Sequence, residues 1–232
     1  MVHKKTLHVV FVLLLAVTGS AFAGDAARFV NLGFSPDSGV FMFAQHGISE
    51  DNGFPFAEIY AVDVPDNTFV RGGVFNRTFD TLLSPGQDSS GALYNLLPDA
   101  SELIRRYKVD HLVQGRLIYL FVNGDTVRDR IDFRDFEAGN SYEIELKQER
   151  RGSETDVSAS FYLDVTTRLS NGTVLNHRVG RPGYFRHDID RYRIKQITVS
   201  PNERSLVVVV ERIRDMASGT RIRYMVETVR LR

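Results

Sequence analysis

Between Ser141 and Lys147 the chain changes character at every step: Tyr142, Ile144 and Leu146 are apolar, while Ser141, Glu143, Glu145 and Lys147 are polar. A later stretch repeats the pattern, with Ala159, Phe161, Leu163 and Val165 on one phase and Ser160, Asp164 and Thr166 on the other. Successive side chains of a strand point to opposite faces, so a period of two marks strands with one buried face, the habit of antiparallel sheets. Leu206 to Val210 is apolar without alternation and suits a strand covered on both sides. The pattern predicts an all-β, mostly antiparallel chain of about twelve strands.

Turn chemistry punctuates these runs. Asn123-Gly124 and Asn171-Gly172 each lie between strand-like segments, and Asn-Gly tolerates the positive φ angles of tight hairpins, so two hairpins are expected. The alternation stops over residues 84–107. There Leu96, Leu103, Ile104 and Tyr107 share a helical face, and Asp99 with Glu102 three residues later has the spacing of a capping box. Ser84-Pro85-Gly86 and Ser89-Ser90-Gly91 ahead of it read as loop. A short helical insertion between two groups of strands is expected.

Two segments near the ends resemble each other. The first is Phe29 to Phe34, then Ser35-Pro36-Asp37, then Gly39 to Ala44, with Ala57 to Val64 after a loop. The second is Ile194 to Val199, then Ser200-Pro201-Asn202, then Ser205 to Val210, with Arg221 to Leu231 after its own loop. Serine opens such a turn, proline presets φ, and Asp or Asn accepts local backbone bonds. The first copy, with Phe34-Ser35-Pro36-Asp37 and Glu58-Ile59-Tyr60-Ala61-Val62-Asp63, resembles the β-propeller repeats of the periplasmic Tol translocation protein. The second keeps the turn and lacks the Ile-Tyr-and-Asp signature. The turns are 165 residues apart, about four blades at roughly 40 to 45 residues each. A partial or divergent propeller and a sandwich-like assembly of blade-like hairpins both stay open. The run from Phe29 to Val64, including Gly53-Phe54-Pro55-Phe56, also resembles an uncharacterised bacterial family of predicted secreted proteins. That resemblance implies an envelope protein and brings no activity or site residue with it.

The amino end agrees. Lys4 and Lys5 precede an apolar run from Val9 to Val17, and Ala21-Phe22-Ala23 is a small-x-small triplet of the kind signal peptidase cleaves. The run is short of the roughly 20 residues a membrane span needs. The expectation is a signal peptide over 1–23 and one exported β-rich domain over 24–232, in the periplasm or secreted, with no transmembrane segment after cleavage. The sequence has no cysteine, which removes disulfides, thiol chemistry and the lipidated cysteine of a lipoprotein. Losing Lys4 and Lys5 takes the basic residues from 29 to 27 against 29 acids, a net charge of −2. Nucleic-acid binding calls for a basic surplus, so no nucleic-acid partner is expected. The arginines crowded between Arg186 and Arg232 read as solvent faces of strands with acids interleaved.

No nucleophile elbow, phosphate loop, dinucleotide fingerprint or zinc-helix motif occurs. No catalytic residue, metal ligand or cofactor is therefore assigned. Four histidines remain after cleavage: His46, His111, His177 and His187. His187-Asp188-Ile189-Asp190 offers metal-ligand types, but in a strand these alternate faces, and a solvated loop is the expected form. Glu50, Asp51 and Asn52, followed by Phe54 and Phe56, place acids beside aromatic rings in one strand connection. Such a loop suits partner binding, although Phe54 or Phe56 could equally begin the next strand and point inward. The leading functional expectation is a non-catalytic binding or scaffold protein of the envelope, contacting another protein or a cell-surface polymer. The alternative is a hydrolase, for instance on glycans, built from distant carboxylates.

Overall fold

The computed structural model describes residues 25–83 and 87–231. The expected signal peptide over 1–23, the expected new amino end at Gly24 and the Ser84-Pro85-Gly86 motif lie outside the described residues. Within them the chain forms three antiparallel sheets and one short helical insertion. The first sheet is a meander of β1 (Arg28–Phe34), β2 (Val40–Ile48), β3 (Pro55–Asp63) and β4 (Thr68–Thr78). The insertion follows as α1 (Ser90–Leu96), a 3-10 turn (Leu97–Ala100) and α2 (Ser101–Tyr107). Next come β5 (Arg116–Leu120), β6 (Arg130–Arg134), β7 (Ser141–Arg151), β8 (Ser158–Arg168), β9 (Val174–Gly180) and β10 (Arg186–His187). The chain ends in β11 (Arg191–Val199), β12 (Ser205–Met216) and β13 (Gly219–Arg230). Strands β6 to β10 make the second sheet, and β13-β12-β11-β5 make the third.

The third sheet is the middle layer. On β12, Leu206, Val208 and Val210 pack with Ile144, Leu146, Phe161 and Leu163 of the second sheet. The intervening Val207 joins Phe34, Phe41, Phe43 and Val62 of the first sheet, and Val209 joins Ala27, Phe56 and Tyr224. All five residues from Leu206 to Val210 have no exposed surface. That explains the unbroken apolar run: a strand between two layers has no solvent face. The other face of the first sheet, through Met42, Ala44, Ile59 and Ala61, packs on Ala92, Leu93, Leu96 and Leu103 of the helical insertion. The order of layers is helices, first sheet, third sheet, second sheet. Three stacked sheets with the C-terminal one inside are not a five-bladed ring, and each sheet stays open among the described residues.

The two Ser-Pro turns have the same internal bonding. Ser35 Oγ donates to Asp37 Oδ1 at 2.6 Å and accepts Val40 N at 2.8 Å, while Asp37 Oδ1 accepts Gly39 N at 2.9 Å. Ser200 Oγ donates to Asn202 Oδ1 at 2.8 Å and accepts Ser205 N at 3.0 Å, while Asn202 Oδ1 accepts Arg204 N at 3.1 Å. Each turn is completed by a residue in the left-handed region, Ser38 and Glu203.

Other local expectations divide. Asn171-Gly172 closes the β8–β9 hairpin, with Gly172 at φ 86° donating to Leu169 O. Asn123-Gly124 also turns, and Asp125 N donates to Val122 O, but no hairpin follows. The strands it joins enter different sheets, β5 pairing with β11 and β6 with β7. The Asp99–Glu102 capping box does not form either. Asp99 sits inside the 3-10 turn that links α1 to α2, so no free helix end awaits it, and it pairs with Arg77 while Glu102 pairs with Arg106 at 2.7 Å.

Candidate functional site

The β12–β13 hairpin sets its residues in fixed opposition, Arg212 facing Arg223 and Arg214 facing Arg221. Directly opposed residues of an antiparallel pair share one face, and like charges placed so repel unless acids or a ligand intervene. Farther from the hairpin turn the same face carries Val208, Val210 and Met225 and is covered by the second sheet. Where that cover ends, the four arginines begin. With Arg186, they line a cleft of about 440 Å³ that also holds Asp25, Asp51, His187, Asp188 and Ile189. Five guanidinium groups face three carboxylates there.

Three elements supply the acids. Arg214 Nε donates to Asp188 Oδ1 at 3.0 Å and its Nη1 to Asp190 Oδ2 at 2.8 Å. Arg221 Nη1 reaches Asp188 Oδ2 at 2.7 Å, and its Nη2 lies 3.4 Å from Asp51. Arg223 Nη2 donates to Asp25 Oδ2 at 2.8 Å, and its guanidinium carbon stands 4.3 Å above the Phe56 ring. The His187-to-Asp190 segment is exposed at His187 and Asp188, as expected of a solvated loop, and its two carboxylates also supply acids to an ion-pair network.

Three atoms of residues that line this cleft are buried and have no hydrogen-bond partner: Arg212 Nε, Arg186 Nη1 and Asp25 Oδ1. The Asp25 side chain is only 1% exposed. A buried polar group left unpaired costs about 1–3 kcal/mol, and native proteins hold few such groups.

The loop between β2 and β3 places Asp51 at the cleft and keeps Glu50 partly covered, with Glu50 Oε2 buried and unpaired. Ser49 N donates to Phe54 O, Gly53 N to Ser49 O and Phe54 N to Asn52 Oδ1, and Gly53 holds the left-handed φ of 71° that closes the turn. Phe54 is half-buried. Phe56, 7% exposed, starts β3 and points inward onto Val209 and Tyr224. The loop thus brings one of its acids to the cleft, while Phe56 supports the cleft from below through Arg223. The sequence pattern suggests solvent faces of strands for the arginines, whereas Arg214, Arg221 and Arg223 are mostly covered and turned toward one another. The signal was present: a turn at Ala217-Ser218 pairs 214 with 221 and 212 with 223, so two alternating Arg-x-Arg pairs must face each other.

A second groove of about 390 Å³ shares Arg186 with the first. It holds Asn67, Phe69, Arg181, Tyr184, Met225 and Glu227, among others. Burial pushes the Glu227 carboxyl above its usual range, opposed by the amide of Asn67, which donates to Glu227 Oε2 at 2.6 Å. The four histidines sit apart on β2, β9, β10 and the segment after α2. His46 Nδ1 meets Ser89 Oγ at 2.8 Å and His111 Nδ1 meets Leu32 O at 2.6 Å. Among the described residues no three His, Asp or Glu side chains are grouped as a metal ion would require.

A family model described as predicted secreted protein (DUF2259) matches residues 42–230. The chain belongs to this family. The match runs from within β2 to the end of β13 and so includes all three sheets except β1, the β2–β3 loop and, Asp25 excepted, the residues of the arginine cleft. No curated protein matches the chain. Secretion, the property the family's description carries, agrees with the absence, among the described residues, of any helix long and apolar enough to cross a membrane.

Proposed function

We propose that residues 24–232 form one exported domain of the bacterial envelope that binds, without catalysis, an anionic group in the arginine cleft, with the Glu50–Phe54 loop as its rim. The observation that carries this reading is the pair of buried guanidinium nitrogens, Arg212 Nε and Arg186 Nη1, that lack an acceptor in a cleft rich in arginine. An oxyanion bound among these five guanidinium groups makes charge-assisted bonds, which are among the strong ones. The absence of any cysteine goes with a signal-peptide export route without lipid attachment.

The hydrolase alternative draws on Glu227, whose carboxyl is raised by burial. Glycoside cleavage uses two carboxyl groups about 5 to 10 Å apart, whereas Glu227 is the one carboxylate among the described residues lining its groove. In the arginine cleft Asp25, Asp51 and Asp188 are each within reach of a guanidinium, as partners of arginine. Binding fits this arrangement better than proton transfer. The test is calorimetric titration of the exported chain with inorganic phosphate. Saturable binding that weakens with salt and falls at least tenfold in Arg212→Gln supports the reading; binding indifferent to Arg212 places the site elsewhere and defeats it.

A further inference from the structure

The arginine cleft and the second groove share the Arg186 side chain, and their chemistry differs in a way that names a ligand. Resting on the anion reading above, we propose that together they bind an acidic polysaccharide, one sugar carboxylate seated in the arginine cleft and the neighbouring rings lying along the groove.

The first argument is the mixed demand of the cleft. Arg212 Nε and Arg186 Nη1 are donors without an acceptor, and Asp25 Oδ1 is an acceptor without a donor. A fully ionised oxyanion suits the arginines and is repelled by the Asp25 carboxylate. A sugar acid carries a carboxylate and hydroxyl groups on one ring, so it offers two acceptor oxygens to the arginines and an O–H to Asp25.

The second argument is the groove. Tyr184 is 53% exposed and Phe69 is 56% exposed, unusually open for rings of that size. Neither is loose. Phe69 stacks on Tyr60 with centroids 5.4 Å apart, Tyr60 stacks on Phe43 at 4.9 Å, and Phe43 is in the core. The guanidinium groups of Arg186 and Arg181 stand 4.9 and 5.7 Å from the Tyr184 centroid. Rigid exposed rings beside polar groups are what an oligosaccharide uses, since the C–H face of a pyranose is electropositive and the ring face is negative. Arg186 joins the two halves, facing the cleft and touching the Tyr184 platform.

A peptide added as a further strand is disfavoured at this edge. Three outward amides of β13 are already taken: Ile222 N donates to Asp25 O, Tyr224 N to Gln45 Oε1 at 2.7 Å and Thr228 N to Asn67 Oδ1 at 2.7 Å. What remains open is a surface of side chains.

Calorimetry on the exported chain with four probes decides the matter: a galacturonic acid hexamer, cellohexaose, inorganic phosphate and a thymidine hexanucleotide. The acidic hexamer should bind at least tenfold tighter than phosphate and at least tenfold tighter than cellohexaose. Tyr184→Ala should weaken the hexamer at least tenfold and leave phosphate within twofold, and Tyr184→Phe should restore the hexamer. Arg186→Gln should weaken both. If phosphate binds while the hexamer gains nothing over it, or Tyr184→Ala changes neither, the polysaccharide proposal falls and the anion site stands. If cellohexaose matches the acidic hexamer, or the hexanucleotide exceeds it, the ligand class is wrong. If neither phosphate nor the hexamer binds, the anion reading falls as well.

Discussion

The side-chain amide of Asn202 donates to the backbone carbonyl of Asp37 at 2.8 Å, across 165 residues of sequence. Asn202 N adds a contact to Ser38 Oγ at 3.3 Å. The two Ser-Pro turns therefore meet, and they clasp the first sheet to the middle one at one end. Asn202→Ala removes this bond together with the acceptor for Ser200 and Arg204, and should cost about 1–2 kcal/mol in urea unfolding at neutral pH. An unchanged midpoint would show that the turns touch without holding.

The same clasp predicts an acid limb. The Ser35 hydroxyl, and after it the Gly39 amide, hold the Asp37 carboxyl below its ordinary 3.8. A folded-state value below the unfolded one means a stabilisation present in full above pH 3.8 and lost as pH falls through the folded value. Asp37→Asn should lose this part of the pH dependence, read as the unfolding midpoint in an acid series.

Glu227 carries the opposite sign. Burial raises its folded-state value above the ordinary 4.5, so ionisation costs stability as pH rises from 4.5 through the folded value. Glu227→Gln keeps an acceptor for Asn67 and removes that cost. Its melting temperature at neutral pH should equal or exceed that of the parent, and the difference should vanish below pH 4.5.

At the β2–β3 loop the aromatic and the acids should separate cleanly. Phe56→Ala empties a buried site under Arg223 and should cost about 3–5 kcal/mol. Asp51→Ala alters an exposed pair, should change stability by less than about 0.5 kcal/mol, and frees Arg221 from one competing carboxylate. Phosphate should then bind more tightly than to the parent protein, and weaker binding would count against the cleft.

Leu206→Ala tests the stack itself. Leu206 faces the second sheet from the middle of the molecule, and its truncation should cost about 2–5 kcal/mol by the cavity it leaves. Chemical denaturation measures the loss; a cost under 1 kcal/mol would mean the layers are not packed as described.

Much of this architecture is written in local pattern. Alternation at Tyr142, Ile144 and Leu146 gives β7, the unbroken run from Leu206 gives the doubly covered strand, and matching Ser-Pro turns give two hairpins of one kind. These signals are legible because each depends only on neighbours along the chain. Which sheet a strand joins is not of that kind. Asn123-Gly124 makes a good turn, yet β5 leaves for β11, because pairing is decided by partners more than seventy residues away. The site is harder still. Asp51 and Asp188 were visible as acids in loops, but Arg221 brings them to one cleft only through the stacking of three sheets.

The layer order also sets a timetable. The middle sheet, which both outer sheets need as a covering, is assembled chiefly from β11 to β13, the last strands to be made. Neither of the two interiors between sheets can close before β12 and β13 are in place, so the packing of the earlier strands waits on a hairpin that is distant from them in sequence.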